Sequence, residues 1–180
     1  NKLSTWTLAG DFSNDDIMPV DTDLYSTRPI EGSKHSSSLL VSYSRILNKS
    51  LMMQISAGYI SKSGLLSDPY KVVFVDNSLL GDSRPNTRKA TTIATQLRYY
   101  AQSANGALHA DYRFYDDDWQ VTSHTIDLAW YQNLPYDIQL VPSIRLYSQS
   151  DSYFYQVYYD QTRPDNFYST DYRLSEYGAI

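Results

Sequence analysis

The sequence has no cysteine, which rules out a disulfide framework, a CxxC redox pair and a thiolate metal site. It has no long apolar run either. The longest clearly apolar stretch is Val72, Val73, Phe74 and Val75, far short of the roughly 18 residues that a membrane-spanning helix needs. Charge is sparse, at 19% of residues against the roughly 25% usual in globular proteins. The 15 Lys plus Arg are outnumbered by 20 Asp plus Glu and form no basic cluster, which argues against nucleic acid as a partner. Residue 1 is Asn, with no charged segment and apolar core behind it, so the expectation is that any signal peptide has been removed or lies outside this sequence. The 180 residues allow one domain, 1–180, or a piece of one. What is abundant is tyrosine, with 18 residues.

Apolar positions rarely agree at i, i+3, i+4 and i+7 but fit period 2 repeatedly, so the class is all-β. Over 108–115 the even positions Leu108, Ala110, Tyr112 and Phe114 oppose His109, Asp111, Arg113 and Tyr115. Ile126, Leu128 and Trp130 likewise oppose Ser123, Thr125 and Asp127. Over 138–147, Ile138, Leu140, Pro142, Ile144 and Leu146 oppose Gln139, Ser143, Arg145 and Tyr147. Ile93, Leu97 and Tyr99 continue the pattern, as do the odd positions from Leu51 to Tyr59 and Trp6, Leu8, Gly10 and Phe12. Weaker strands are expected near 37–47 and 170–180, for about eight in all.

Connections at 48–50, 103–106 and 133–136 are short and rich in turn formers. They alternate with long segments at 14–36, 64–89 and 150–169 and a tight acidic corner, Asp116-Asp117-Asp118. Such a meander suits an antiparallel up-and-down transmembrane β-barrel, or a sector of one, in a Gram-negative outer membrane, with short periplasmic turns and longer external loops. Runs of about 9–13 residues match what a tilted strand needs to cross the hydrocarbon layer. Aromatics near strand ends, Tyr99, Tyr100, Trp119, Trp130, Tyr131 and Tyr147, fit an interfacial belt. Arg45 and Glu176 fall on the apolar parity and fit poorly. The alternative is a soluble barrel, apolar face inward, that binds an apolar ligand.

The polar face would line the lumen with Arg98, His109, Asp111, Arg113, Asp127, Arg145, Asp171 and Arg173. Opposite charges on neighbouring strands pair Arg98 with Asp111, Asp127 with Arg145 and Asp171 with Arg173, which suits a porin-like, ion-paired lumen or a network that holds register. A third reading is an outer-membrane hydrolase, since His109, Asp111 and Ser123 share a parity and offer base, orienter and nucleophile. His124 sits in the apolar register and His35 in a long loop, and no histidine pair has zinc-ligand spacing. Acidic residues gather at the expected external end: Asp15, Asp16, Asp21 and Asp23; Asp116, Asp117 and Asp118; Asp151, Asp160 and Asp165. Such oxygen ligands suit Ca²⁺ or Mg²⁺, which would stiffen the loops or join them to lipopolysaccharide, although the DxDxDG loop spacing is missing and solvated acidic loops are the simpler explanation. Tyr153, Phe154, Tyr155, Tyr158 and Tyr159, with Phe167 and Tyr168, offer a stacking surface or the packing of an extended strand beyond the membrane.

Several spaced segments together carry a family resemblance. They are Gly58-Tyr59-Ile60, Ser67-Asp68-Pro69-Tyr70-Lys71, Arg84-Pro85-Asn86-Thr87-Arg88, and His109 through Trp119 with Ser123-His124-Thr125. Pro142 through Ser150 with Tyr153-Phe154-Tyr155, and Ser169-Thr170-Asp171-Tyr172-Arg173-Leu174-Ser175, follow in order. Over residues 58–178 the chain resembles the bacterial family called domain of unknown function 3570. That resemblance implies an exported outer-membrane barrel from a chain longer than this one, and supplies no catalytic residue. The sequence also stops within an alternating run, at Tyr177-Gly178-Ala179-Ile180, so a truncated portion of a longer barrel is expected. Together these readings suggest a non-enzymatic pore, scaffold or sheath, partnered by outer-membrane lipid, lipopolysaccharide and a periplasmic or lumenal protein.

Overall fold

The computed structural model of the protein describes residues 3–20 and 31–180, so Asp21 and Asp23 lie outside the described residues. Period-2 runs become long strands: β1 (Ser4–Ile17), β2 (Gly32–Asn48) and β3 (Leu51–Gly64) come first. A small hairpin follows, β4 (Val72–Val75) and β5 (Ser78–Gly81), then β6 (Thr87–Ala101), β7 (Gly106–Asp117) and β8 (Thr122–Asn133). Two residues, Gln139–Leu140, make β9, and β10 (Ser143–Gln149) and β11 (Tyr177–Ala179) end the chain. The main sheet is nine-stranded, in the order β1-β2-β3-β6-β7-β8-β10-β11 with β9 also on β8, and every pairing within it is antiparallel. The expected meander is therefore present, as an open sheet whose outermost strands are β1 and β11.

Local chemistry sets the connections. Lys49 and Ser50 alone join β2 to β3, with the Asn48 side chain accepting from the Ser50 amide at 2.8 Å. A 3-10 turn over Gln102–Ala104 joins β6 to β7 and closes on Asn105 at φ 47°, a left-handed conformation that asparagine tolerates. At the other end lie the connections 65–86, 118–121 and 150–176.

Five expectations need correction. The run 138–147 is split at Val141-Pro142, because proline has no amide to give the ladder, although its carbonyl still accepts from Trp130 N at 3.0 Å. The weak strand near 37–47 is in fact the longest, at 17 residues. It and β1 also consume both ends of the supposed 14–36 loop. The strand near 170–180 shrinks to Tyr177–Ala179, since Asp171 caps a 3-10 turn, Tyr172–Leu174, by accepting from Arg173 N. The tyrosine-rich segment is no extended strand either, making only isolated bridges at Tyr155 and Tyr159.

Register sorts the side chains onto two faces. Trp6, Tyr43, Ile55, Thr95, Tyr112 and Ile126 lie in one cross-strand row, and Leu8, Val41, Ala57, Ile93, Phe114 and His124 in the next. This apolar face is open: Trp6 is 72% and Phe12 85% exposed, with Leu39, Ile55, Ile93, Leu128 and Ile144 also exposed. The opposite face carries Ser42, Ala90, Asp117 and Ser123, which are buried. Gly106, beneath the Trp130 ring, is one position where a side chain is excluded, because a Cβ would come within 2.5 Å of that indole.

Buried apolar clusters sit among the long connections rather than in the sheet. Val73, Val75, Tyr159 and Tyr168 form one, and Trp119, Val121, Phe154 and Leu174 the other. Together they make a cap over the end of the sheet that carries the long connections. Trp119, expected in an aromatic belt, is a core residue of that cap, edge-on to Phe154 at 5.2 Å. Of the other expected belt residues, register puts Tyr99 and Trp130 on the apolar face, and Tyr100, Tyr131 and Tyr147 on the polar one. Arg45 does fall on the apolar face, opposite Ser4 and Met53, but three residues from the end of β2, where its long stem lets the guanidinium reach water. Glu176 precedes β11 and has no strand parity.

Candidate functional site

On the polar face, Asp111 of β7 stands directly opposite Asp127 of β8, and Asp127 in turn opposite Arg145 of β10. Two facing carboxylates repel, so each needs a cation. Arg98 of β6 supplies one, donating both Nη groups to Asp111. Arg145 supplies the other, with Nε 2.5 Å and Nη2 3.1 Å from the Asp127 oxygens. The result is a neutral row, plus-minus-minus-plus, across four strands. His109 lies beside Arg98 with its ring 4.2 Å from that of Tyr131. These side chains border a groove of about 440 Å³. Arg113 occupies the same face two residues beyond Asp111, between Ala94 and Thr125, and forms no salt bridge among the described residues.

The cap holds the more buried charges. Asp82, in the turn after β5, accepts from Arg84 Nε at 2.7 Å, Ser169 Oγ at 2.5 Å and the Asp68 amide at 2.8 Å. Asp171 accepts from Arg84 Nη2 at 3.0 Å and Arg173 Nη2 at 2.8 Å, and Lys71 Nζ lies 2.8 Å from it. Its side chain is 1% exposed. Burial pushes the Asp171 carboxyl up, but the hydrogen bonds from Arg173, Lys71 and Arg84 outweigh that and hold it well below the usual carboxylate range. A second knot forms where Asp117 accepts from Arg88 Nε at 2.8 Å, Tyr115 Oη at 2.7 Å, and the amides of Trp119 and Val121 at 2.9 and 3.0 Å. Arg88 stacks its guanidinium over the Trp119 ring at 4.5 Å, while Trp119 Nε1 donates to Thr87 O.

A family model describing a protein of unknown function, DUF3570, matches residues 2–180. The chain belongs to that family. The match extends the resemblance of 58–178 over β1 and β2 as well. No curated protein and no solved structure matches the chain. Several of the segments that carry the resemblance also have a physical role in the structure: Asp68-Pro69-Tyr70-Lys71, Arg84 through Arg88, Asp116 through Trp119 and Ser169 through Leu174 are the strips of chain that interlock in the cap. Asp82, Arg84, Arg88 and Lys71 escaped the sequence reading as a cluster because loops have no period. The one local signal was Asp82 two residues before Arg84.

The structure divides the eight expected lumen residues. Arg98, His109, Asp111, Arg113, Asp127 and Arg145 share the polar face, and all three anticipated ion pairs form. Asp171 and Arg173, however, pair within the cap and not on a strand. The hydrolase triad does not assemble: Ser123 faces Tyr115, six residues along β7 from His109, so roughly 20 Å separates them at about 3.4 Å per residue. Ser123 is moreover buried. His124 meets Tyr112 Oη at 2.8 Å on the apolar face, and His35 belongs to β2, where it meets Asn14 at 2.7 Å.

The acidic loop residues are also dispersed. Asp15 lies 3.9 Å from Lys34, Asp16 is exposed on β1, Asp116 accepts from Thr122 Oγ1 and Asp118 from the Lys89 amide. Asp117 is consumed by the Arg88 knot, and among the described residues no group of three or more acidic or histidine side chains is placed to hold a metal ion. The expected Ca²⁺ bridge therefore has no assembled ligand set here.

Proposed function

We propose that this DUF3570 chain is a sector of an outer-membrane β-barrel of a Gram-negative bacterium, its apolar face in lipid and its ion-paired face lining the lumen. Its role is a non-enzymatic pore, scaffold or sheath, with the cap on the external side near lipopolysaccharide. The observation that carries this reading is the exposed, predominantly apolar face that extends across the main strands. Burying one large apolar side chain is worth roughly 1.5–3 kcal/mol, so leaving Trp6, Leu8, Phe12, Leu39, Ile55 and Ile93 in water forgoes on the order of 10 kcal/mol. That is as much as the whole stability of an ordinary domain. A bilayer removes the cost, while a closed strand path satisfies the backbone groups that lipid cannot.

Selectivity in such a barrel falls to the polar face, where the Arg98–Asp111 and Arg145–Asp127 pairs neutralise one another and Arg113 carries the unmatched charge. The test starts from cells expressing the full-length gene: membrane fractionation, heat-modifiable migration in detergent, and external protease cleavage within 64–89. Recovery of a soluble periplasmic protein would overturn the reading. With insertion established, Arg113→Ala and Arg145→Ala should each change single-channel conductance or retention of a co-purifying partner, since each makes the polar face one charge more negative, the second by leaving Asp127 uncompensated.

A further inference from the structure

Where β10 meets the cap, three tyrosines enclose a pocket that the lumen row does not use. Tyr147 and Tyr177 lie diagonally across the β10–β11 pairing with tilted rings whose centres are 5.9 Å apart, and Tyr172, from the 3-10 turn, forms the lip. Gln149 and Arg173 complete the lining of a space of about 320 Å³, at the lower end of the range for small-molecule sites.

The walls are fixed by bonds within the protein. Gln149 takes a hydrogen bond from Tyr147 Oη at 2.6 Å and donates to the carbonyls of Ser175 at 2.6 Å and Arg173 at 3.1 Å, which ties the strand to the turn. Arg173 is held through Nε and Nη2 by Asp171. Tyr172 rests its ring 5.8 Å from the Lys71 ammonium. Among the described residues, this leaves Arg173 Nη1 and the hydroxyls of Tyr172 and Tyr177 without a hydrogen-bond partner.

The charge around the pocket decides what fits. Arg173 is matched by Asp171 at 2.8 Å and Asp68 at 3.8 Å, so the pocket is not a net cation and offers little to a free anion. Aromatic faces with fixed, uncharged-overall hydrogen-bonding groups suit a ring that is apolar on its flat side and hydroxylated at its rim. We infer that this pocket is a carbohydrate subsite for a neutral mono- or disaccharide, with Tyr147, Tyr172 and Tyr177 stacking on the sugar ring and Arg173 Nη1 binding its hydroxyls. The site stands on the pocket's own geometry and does not depend on membrane insertion.

Titration calorimetry on the full-length purified protein tests it with glucose, galactose, N-acetylglucosamine, maltose and cellobiose, and with benzoate and riboflavin as an anionic and a planar aromatic competitor. The expected result is saturable binding of at least one saccharide, weakened about fivefold by Tyr172→Ala, the size of one lost aromatic contact. Tyr177→Phe should weaken it less, through loss of the hydroxyl alone. Tyr136→Ala, an almost fully exposed tyrosine at the opposite end of the sheet, should leave it unchanged and serves as the control. Tyr172 is itself exposed, so its truncation leaves the fold intact. Absence of binding by every saccharide, binding indifferent to Tyr172→Ala, or preference for benzoate or riboflavin would each overturn the assignment.

Discussion

The sheet and its cap are built on opposite principles. In the sheet, order comes from strand ladders and cross-strand pairs, one face is exposed hydrocarbon, and the charged pairs remain in contact with solvent. In the cap, regular structure is minimal, yet Phe154 is 0% exposed and Asp82 and Asp171 are buried among cations. The cap satisfies its own groups as a water-soluble domain does. The sheet leaves its apolar face for something else to cover, and on the proposed barrel reading that difference marks where water gives way to lipid.

The comparison breaks most visibly at Asp171. Replacing it with Ala strands Arg84, Lys71 and Arg173 without their shared carboxylate, and breaking a buried pair this way costs about 3–5 kcal/mol. Limited proteolysis should then cut the 64–89 and 150–176 segments rapidly while the strands stay protected.

Packing sharpens the same contrast. Phe154→Ala should cost the cap about 3–4 kcal/mol, because a fully buried aromatic leaves a cavity. Leu128→Ala, on the exposed apolar face, should cost under about 1 kcal/mol in a bilayer, where lipid fills the space. Equal losses in reversible unfolding from detergent or lipid would mean that protein, not lipid, covers that face.

Acid should act on the cap before the sheet. The Asp171 carboxyl titrates lower in the folded state than in the unfolded one, so its contribution is complete above the unfolded value near 4 and is lost as pH falls toward the folded one. Asp165 is shifted the same way, by the hydrogen bond from Arg163. Hydrogen exchange at Leu174 and Ser175 should therefore accelerate below about pH 4, by less than the Asp171→Ala variant produces, with amides of β7 unaffected.

The smallest effect belongs to the polar row. The Arg98 and Asp111 side chains are each about a third exposed, so a double-mutant cycle between them should give a coupling of only about 0.5–1 kcal/mol, reduced by salt. Arg98→Ala alone should lose more than that coupling, because Asp111 then faces Asp127 with a single cation between them.

How much of this was legible in the sequence follows the same divide. A strand that buries nothing on one face must alternate, so β3, β6, β7 and β8 announced their faces, and the Arg98–Asp111 and Arg145–Asp127 pairs followed from parity alone. Parity fixes only the face, not the distance along the strand, which is why His109 and Ser123 looked able to meet. The cap was opaque because its contacts join residues as far apart as Asp82 and Ser169, and nothing within a loop records such a partner. Asp117 illustrates the confusion: as one of three consecutive aspartates it suggested a cation ligand, whereas Arg88 and two backbone amides claim it.

The order of assembly is written in the same wiring. Consecutive long strands pair with their predecessors through short loop closures on one side, so the sheet can grow hairpin by hairpin as the chain emerges. The interlocking of Lys71, Arg84 and Asp171 spans about a hundred residues of chain and must wait for the last of them. Within the described residues, cap closure therefore comes after the strands up to β10 have been made, and couples the first half of the chain to the second.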